Sequence, residues 1–319
     1  MSGPLAGIRV IDASQYVAGP YCGTILGSMG ADVIKVERPG GDEFRGTGPV
    51  IEGVSYPFQM LNHNKKSIVV DLKREAGAQI ISRLASKADI FLQSGRPRTM
   101  ERLGLGYASL AKMNPKIIYC GISGFGQNGP YGNRGGVDII AQAMGGLMGV
   151  TGEPGRPPVK VSYPLADFGA SMWAAIGILG ALWGRSVSGK GQEIDAALID
   201  VPISWSIWEA SRYFGLNEKP RPLGSSHRNV APYRAMKCAD GKYIAIGVAS
   251  QAMWSRLCAV IGAPELEKDS RFLTLVSRTD NRDALEKILE ERFLTRSSAD
   301  WLDALDEAQI ASGPVYQYE

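Results

Sequence analysis

Asp167 is one of three places in this chain whose residue types and spacing could do chemistry. It is the only acidic residue between Glu153 and Glu193, and Tyr163-Pro164-Leu165-Ala166-Asp167-Phe168-Gly169 sets it where the most apolar helix begins. A carboxylate at the positive end of a helix, in apolar surroundings, can serve as a nucleophile. The same position also suits an N-cap, whose side chain accepts an orphan backbone N–H. Spacing alone favours the cap.

A second group is cationic. Lys65, Lys66, Lys73, Arg96, Arg98 and Arg102 fall near the ends of expected strands, where open α/β sheets bind ligands. Together they could hold a polyanion such as coenzyme A, whereas singly each reads as a solvated charge. The stretch from Ala13 to Pro20 lacks the G-x-G-x-x-G fingerprint, so no nicotinamide cofactor is expected. Glu37 stands where a ribose-binding acid would, but Arg38 follows it and suits a phosphorylated ribose better. A solvated Glu-Arg pair is the plainer reading.

Other candidates are weaker. The histidines, His63 and His227, cannot build a His-rich metal site, and no metal is expected. Cys22, Cys120, Cys238 and Cys258 are too dispersed for a zinc or redox motif. Trp173, Trp183, Trp205 and Trp208 sit at helical spacings and read as core.

The elements that must position these residues alternate. Strands are expected at 8–12, 31–37, 67–70, 89–92 and 117–122, with helices from Gly19 to Met29 and Arg74 to Ala88 between them. Such alternation implies an α/β fold whose large domain is a Rossmann-like parallel sheet, assigned to residues 1–195. A helical linker is expected at 196–224 and a smaller α+β domain at 225–319. The second half is read as a helix from Leu198 to Tyr213, a strand from Tyr243 to Val248 and helices at 251–261, 279–293 and 298–307. Gly313-Pro314-Val315 opens a further element.

Composition bounds the partners. In 319 residues, 45% are hydrophobic and 21% charged, as a folded core requires, and a net charge of +3 without a basic block argues against nucleic acid. The longest uncharged run, Phe168 to Gly184, is shorter than the roughly 20 residues of a membrane span. Residues 1–9 carry no signal-peptide pattern, and a cytoplasmic location without membrane attachment is expected.

Ordered motifs then narrow the class. Leu5-Ala6-Gly7-Ile8-Arg9-Val10-Ile11-Asp12, Val17-Ala18-Gly19-Pro20 and Gly30-Ala31-Asp32-Val33-Ile34-Lys35-Val36-Glu37-Arg38-Pro39-Gly40 open the chain. Asn64-Lys65-Lys66-Ser67, Asp71-Leu72-Lys73, Met100-Glu101-Arg102-Leu103-Gly104-Leu105, Gly124-Phe125-Gly126-Gln127-Asn128-Gly129-Pro130-Tyr131 and Gly189-Lys190-Gly191-Gln192 follow. In this order, as far as Gly313-Pro314-Val315, they resemble the class III CoA-transferases, the CaiB-BaiF family that includes formyl-CoA transferases.

The resemblance implies two interlocked chains and an enzyme acting on an acyl-CoA and a small carboxylic acid. It makes Asp167 the nucleophile that attacks the thioester, forming a mixed anhydride and releasing CoA thiolate. It places CoA contacts at Val17, Ala18, Arg38, Val70, Lys73, Ser94, Gly95 and Arg102. Arg38 and Lys73 would meet the phosphate and adenine side, and backbone at Val17-Ala18 the thioester. Relatives read Asn-Phe-Arg-Pro-Gly where this chain has Ser94-Gly95-Arg96-Pro97-Arg98. They also continue for a further C-terminal segment, which this chain is expected to lack. Two alternatives share the fold. Acyl-CoA racemases or epimerases carry a His in the segment matched by Gly136-Val137-Asp138-Ile139, where this chain has Val137; the other is a CoA-binding protein without turnover.

Overall fold

The computed structural model describes residues 3–318. The chain divides into two units, Met1–Leu147 with Lys160–Trp205, and Met148–Val159 with Ser206–Glu319.

The first unit is built on a six-stranded parallel sheet. Its strands are β1 (Arg9–Asp12), β2 (Asp32–Glu37), β3 (Lys65–Val69), β4 (Ile90–Gln93), β5 (Ile118–Ser123) and β6 (Glu193–Ala197). They lie side by side as β3-β2-β1-β4-β5-β6. This is the order of the doubly wound dinucleotide fold, in which the chain reverses direction across the sheet between β1 and β4. β4 and β5 are buried at every position, as their unbroken apolar runs require, whereas edge strand β3 keeps Lys66 and Val69 exposed.

Alternation along the strands supplies two cores. Val10, Ile90, Leu92 and Ile118 meet α1 (Ala18–Ser28) on one face. Ile11, Phe91 and Tyr119 meet Ile81 of α2 (Glu75–Ala85) on the other. A short helix, α3 (Asp138–Met144), precedes the long α4 (Leu165–Ser188), which ends at Gly189 in the left-handed conformation, φ 72°. A glycine just past a helix end is the usual solution there.

The face that α4 gives to the core is made of small residues, chiefly Ala166, Ala170, Ala174 and Ala181 with Ile178. Its bulk points away, so Trp173 and Trp183, read as core from their spacing, are not core. Trp173 and Trp183 are 46% and 75% exposed, and Trp205 and Trp208 are exposed as well. Helical periodicity identifies faces; it does not say which face is buried when one is small and the other large. β6 went unassigned because Glu193-Ile194-Asp195-Ala196-Ala197 carries little strand signal; its pairing with β5 makes it a strand.

In the second unit, α5 (Ile207–Leu216) is the latter part of the helix expected from Leu198, which breaks at Ser206 after a shorter piece, Asp200–Trp205. Strands β7 (Tyr233–Lys237), β8 (Tyr243–Gly247) and β9 (Ala311–Pro314) form an antiparallel sheet in the order β9-β8-β7. Gly313 and Pro314, expected to open a further element, instead end β9, which starts at Ala311. Helices α6 (Gln251–Val260), α7 (Arg282–Phe293) and α8 (Ser298–Glu307) close a core around Trp254, Phe293 and Trp301.

Candidate active site

The loops leaving β1 and β4 meet at the point where strand order reverses, the place where open α/β sheets take ligands. A cavity of about 830 Å³ lies there, lined by residues 15–18, 94–97, 122–124 and 134–140 together with Lys160, Asp167 and Leu198. Five of the expected site residues share it: Val17, Ala18, Ser94, Gly95 and Asp167.

The two loops are stitched together. The Ala13 amide donates to the Leu92 carbonyl at 2.8 Å, the Gln15 amide to Ser94 Oγ at 2.9 Å, and Ser94 Oγ to the Gln15 carbonyl at 3.2 Å. Tyr16 sits between them with φ 65°, a conformation side chains other than glycine adopt at a cost. Gly19 permits the close approach of α1, since a Cβ there would lie 2.1 Å from that of Ser14. Val17, at the start of α1, provides no side-chain cap, and it lines the cavity together with Ala18, the first residue of that helix.

Beneath the β1 loop lies a buried charge network. Lys35 Nζ donates to the Ser14 carbonyl at 3.1 Å and pairs with Asp42 at 2.8 Å. Lys65 Nζ pairs with Asp12 at 2.9 Å and donates to the Pro20 carbonyl at 2.7 Å. All four charged side chains are at most 2% exposed. Asp12 Oδ1 in turn accepts from the amide and hydroxyl of Ser14. Burial is tolerated because each charge meets an opposite charge and further polar atoms.

Asp167 occupies the third position of α4, which starts at Leu165. It is not the cap that spacing favoured. The orphan amide of Ala166 is taken instead by Asp138 Oδ1, from the first turn of α3, at 2.8 Å. Ser171 Oγ ties α4 to α1: its single proton is shared between the Ala18 carbonyl at 2.6 Å and the Asp167 carbonyl at 2.7 Å. Among the described residues nothing hydrogen-bonds to the Asp167 carboxylate. Burial, reinforced by the Asp138 carboxylate, pushes its pKa up from 3.8 to about 7. A carboxyl with that pKa is about half-protonated near neutral pH.

The remaining candidates lie elsewhere in the unit. Arg38 pairs with Glu43 at 2.8 Å and donates to the Gly41 carbonyl. Val70 is buried against the sheet. Lys73 is exposed beside Asp71, and Arg102 donates to the Arg98 carbonyl at 3.3 Å. None of these four lines the cavity. Of the cations grouped at strand ends, Arg96 alone lines it. Lys65 is buried and Lys66 pairs with Asp32. Arg98 takes φ 62° at the place where the resemblance puts a glycine. Glu37 is no ribose ligand and no solvated charge. Arg45 grips it through two bonds of 2.7 Å, which with Ser67 and the Asp42 amide holds its pKa down at about 2.

His63 bonds to the Met60 carbonyl and approaches Ser28, and His227 packs between Trp208 and Tyr233. The four cysteines are free and buried. Among the described residues no group of His, Cys, Asp or Glu is arranged to hold a metal ion. Sequence reasoning missed Asp138, Gln142 and Lys160. The i, i+4 pair Asp138 and Gln142 was the available signal, since it joins at 2.7 Å on one helix face.

Comparison with known proteins gives a consistent picture. Residues 5–319 match the model of CoA-transferase family III. The chain is 37% identical over 314 residues to the succinyl-CoA:glutarate CoA-transferase of Mus musculus, spanning 98% of this chain and 72% of that protein. It is 37% identical over 315 residues to the acetyl-CoA:oxalate CoA-transferase of Acetobacter aceti, spanning 98% of this chain and 81% of that protein. A CAIB/BAIF family protein of Brucella suis superposes with a TM-score of 0.86 at 38% identity, over 99% of this chain and 85% of that one.

Proposed function

The chain belongs to CoA-transferase family III, and from that premise we propose that it moves coenzyme A from an acyl-CoA to a free carboxylic acid with Asp167 as the nucleophile. The observation that carries this reading is the Asp167 carboxylate. It stands in the switch-point cavity with no hydrogen bond to it among the described residues and a pKa of about 7. A carboxylate of raised pKa is a stronger nucleophile than a solvated one and is still largely ionised just above neutrality.

The bond changes balance without water. An Asp167 oxygen attacks the thioester carbon, whose oxyanion meets the backbone at Val17-Ala18. The C–S bond breaks, CoA leaves as thiolate, and an aspartyl acyl anhydride remains. The thiolate then adds to the aspartyl carbonyl, releasing the donor acid and leaving an aspartyl thioester. The acceptor carboxylate attacks that thioester, whose C–S bond breaks to release CoA thiolate again as a second anhydride forms; the thiolate then attacks the acceptor acyl carbon, giving the new acyl-CoA and freeing the Asp167 carboxylate. Val17, Ala18, Ser94 and Gly95 bind CoA at the cavity, and Arg38, Val70, Lys73 and Arg102 hold its outer part.

A homodimer and a cytoplasmic location belong to the same proposal. The free, reduced cysteines favour the second. The first is supported by the exposed apolar stripe of α4, Met172, Trp173, Ile176, Trp183 and Val187, which a second copy would cover.

The test is exchange of isotopic label between acyl-CoA and free acid, with hydroxylamine as a trap. Inactivation by hydroxylamine only when acyl-CoA is present supports the anhydride. Label exchange that survives Asp167→Asn unchanged overturns it.

A further inference from the structure

The second unit holds a pocket of its own, about 160 Å³ in volume, formed by the end of α5, the loop after it and the start of α7. Arg212, Lys219, Arg221, Arg228 and Arg282 line it, against two carboxylates, Glu218 and Asp280. Glu218 is taken by Arg212, whose Nε donates to it at 2.7 Å, and Asp280 is exposed.

Arg228 and Arg282 are not solvated surface charges. Their side chains are 11% and 12% exposed, a depth at which a charge needs a close counter-charge. Each has only a distant one. Arg228 Nε is 3.5 Å from Glu209 and Arg282 Nε is 4.0 Å from Glu286, and neither buried Nε makes a hydrogen bond among the described residues. Glu286 is engaged elsewhere, accepting from Arg234 at 2.6 Å and from Ser226 at 2.7 Å.

What fixes the two guanidinium groups is neutral. Arg282 Nη2 donates to the carbonyls of His227 and Arg228, both at 2.8 Å, and Arg228 Nη2 donates to the Arg221 carbonyl. Nη1 of each has no acceptor among the described residues, so two planar donor groups are held in place with N–H groups to spare. Burial lowers the pKa of Arg282; Glu286 opposes that shift and Arg228 adds to it. The charge nevertheless persists at neutral pH, as an arginine's does.

Like charges pinned together and short of carboxylates make a site for an anion. Guanidinium groups match phosphate through paired N–H···O bonds. One water takes about 10–15 Å³ of such space, so the pocket has room for a phosphoryl group together with waters. We propose that this pocket binds a phosphoryl group, with Arg228 and Arg282 as its principal donors and Lys219 and Arg221 at its rim. The site is independent of Asp167 and of the transfer reading. Two sources share this chemistry: a separate phosphate-bearing ligand and the 3′-phosphate of coenzyme A.

The experiment is calorimetric titration of the full chain with inorganic phosphate at constant ionic strength, balanced with chloride. Wild type is expected to bind phosphate saturably. Arg228→Gln is expected to weaken that binding by about tenfold to a hundredfold, whereas Arg38→Met, at a proposed CoA contact, leaves it in place. Arg282 also braces two carbonyls, so its removal would mix folding with binding. The second variant is therefore Lys219→Gln with Arg221→Gln, both at exposed positions, expected to weaken phosphate by about twofold to fivefold. If Arg228→Gln does not fold, unchanged affinity in this double variant overturns the proposal. So does the absence of saturable binding by wild type, displacement of phosphate by chloride ion for ion, or affinity lost in Arg38→Met and kept in Arg228→Gln. Coenzyme A and dephospho-CoA then identify the source. A difference in their affinities that narrows in Arg228→Gln makes the phosphoryl group coenzyme A's own. A difference that stays while phosphate binding is lost makes the ligand a separate molecule, and either result supports the site.

Discussion

Asp138 accepts the backbone N–H of Ala166 at 2.8 Å, and Asp167, one residue further along the helix, is thereby left without any capping role. One carboxylate does the structural work at this helix start and raises the pKa of the other. The consequence is a pH profile. The nucleophile acts as the anion, so kcat/KM for acyl-CoA is expected to rise through about pH 7 and level off above it. Asp138→Asn can still accept the Ala166 amide but removes the neighbouring charge, so the midpoint should move to lower pH. A midpoint that stays in place would show that burial alone sets it.

Asp167→Asn is expected to fold, to bind CoA and to lose transfer almost entirely. It should also be the more stable protein under mildly alkaline conditions. With a folded pKa of about 7 against 3.8 unfolded, the native state binds more protons between those two values, so wild-type stability falls as pH rises through that range and the loss is complete above about pH 7. The variant escapes that loss, which is at most about 4 kcal/mol before discounting for water in the cavity. Thermal melts at pH 5 and pH 8 check the sign: the difference in Tm between variant and wild type should grow toward pH 8.

The charge network under the β1 loop is a second point of failure. Lys35→Met leaves Asp42 buried and unpaired and cuts the Ser14 carbonyl from its donor. Removing one partner of a buried pair costs about 3–5 kcal/mol, measurable as a lowered urea midpoint. A variant as stable as wild type would mean that water replaces the ammonium.

Val137 lines the cavity where racemases of this fold carry an imidazole, and neither His63 nor His227 lies there. Transfer without exchange at the alpha carbon is expected. A 2-methylacyl-CoA incubated in deuterated buffer should take up no label while its CoA is exchanged. Uptake without CoA exchange would reassign the chemistry to racemisation.

The exposed stripe of α4 predicts self-association. Light scattering is expected to give a dimer, and Trp183→Asp, at a position 75% exposed in one chain, should weaken it. A folded wild-type monomer at micromolar concentration would leave the stripe without its proposed cover.

Much of this protein is legible in its residues. The alternation of apolar runs with helical stretches, from Ile8 to Ile122, settles a parallel sheet, because buried strands need continuous apolar sequence and their connections must cross back over the sheet. The isolation of Asp167 at the head of an apolar helix marks it as exceptional before any contact is known. Tertiary structure alone decided the rest. Whether Asp167 was cap or free carboxylate depended on Asp138, 29 residues away in sequence and delivered by another helix. Which side of α4 was core depended on how closely alanines let it approach the sheet, and this sent Trp173 and Trp183 outward. Lys65 and Arg96 look alike as basic residues near strand ends. One became a buried counter-ion and the other a cavity wall, because charge pairing and burial are set by what arrives from distant segments.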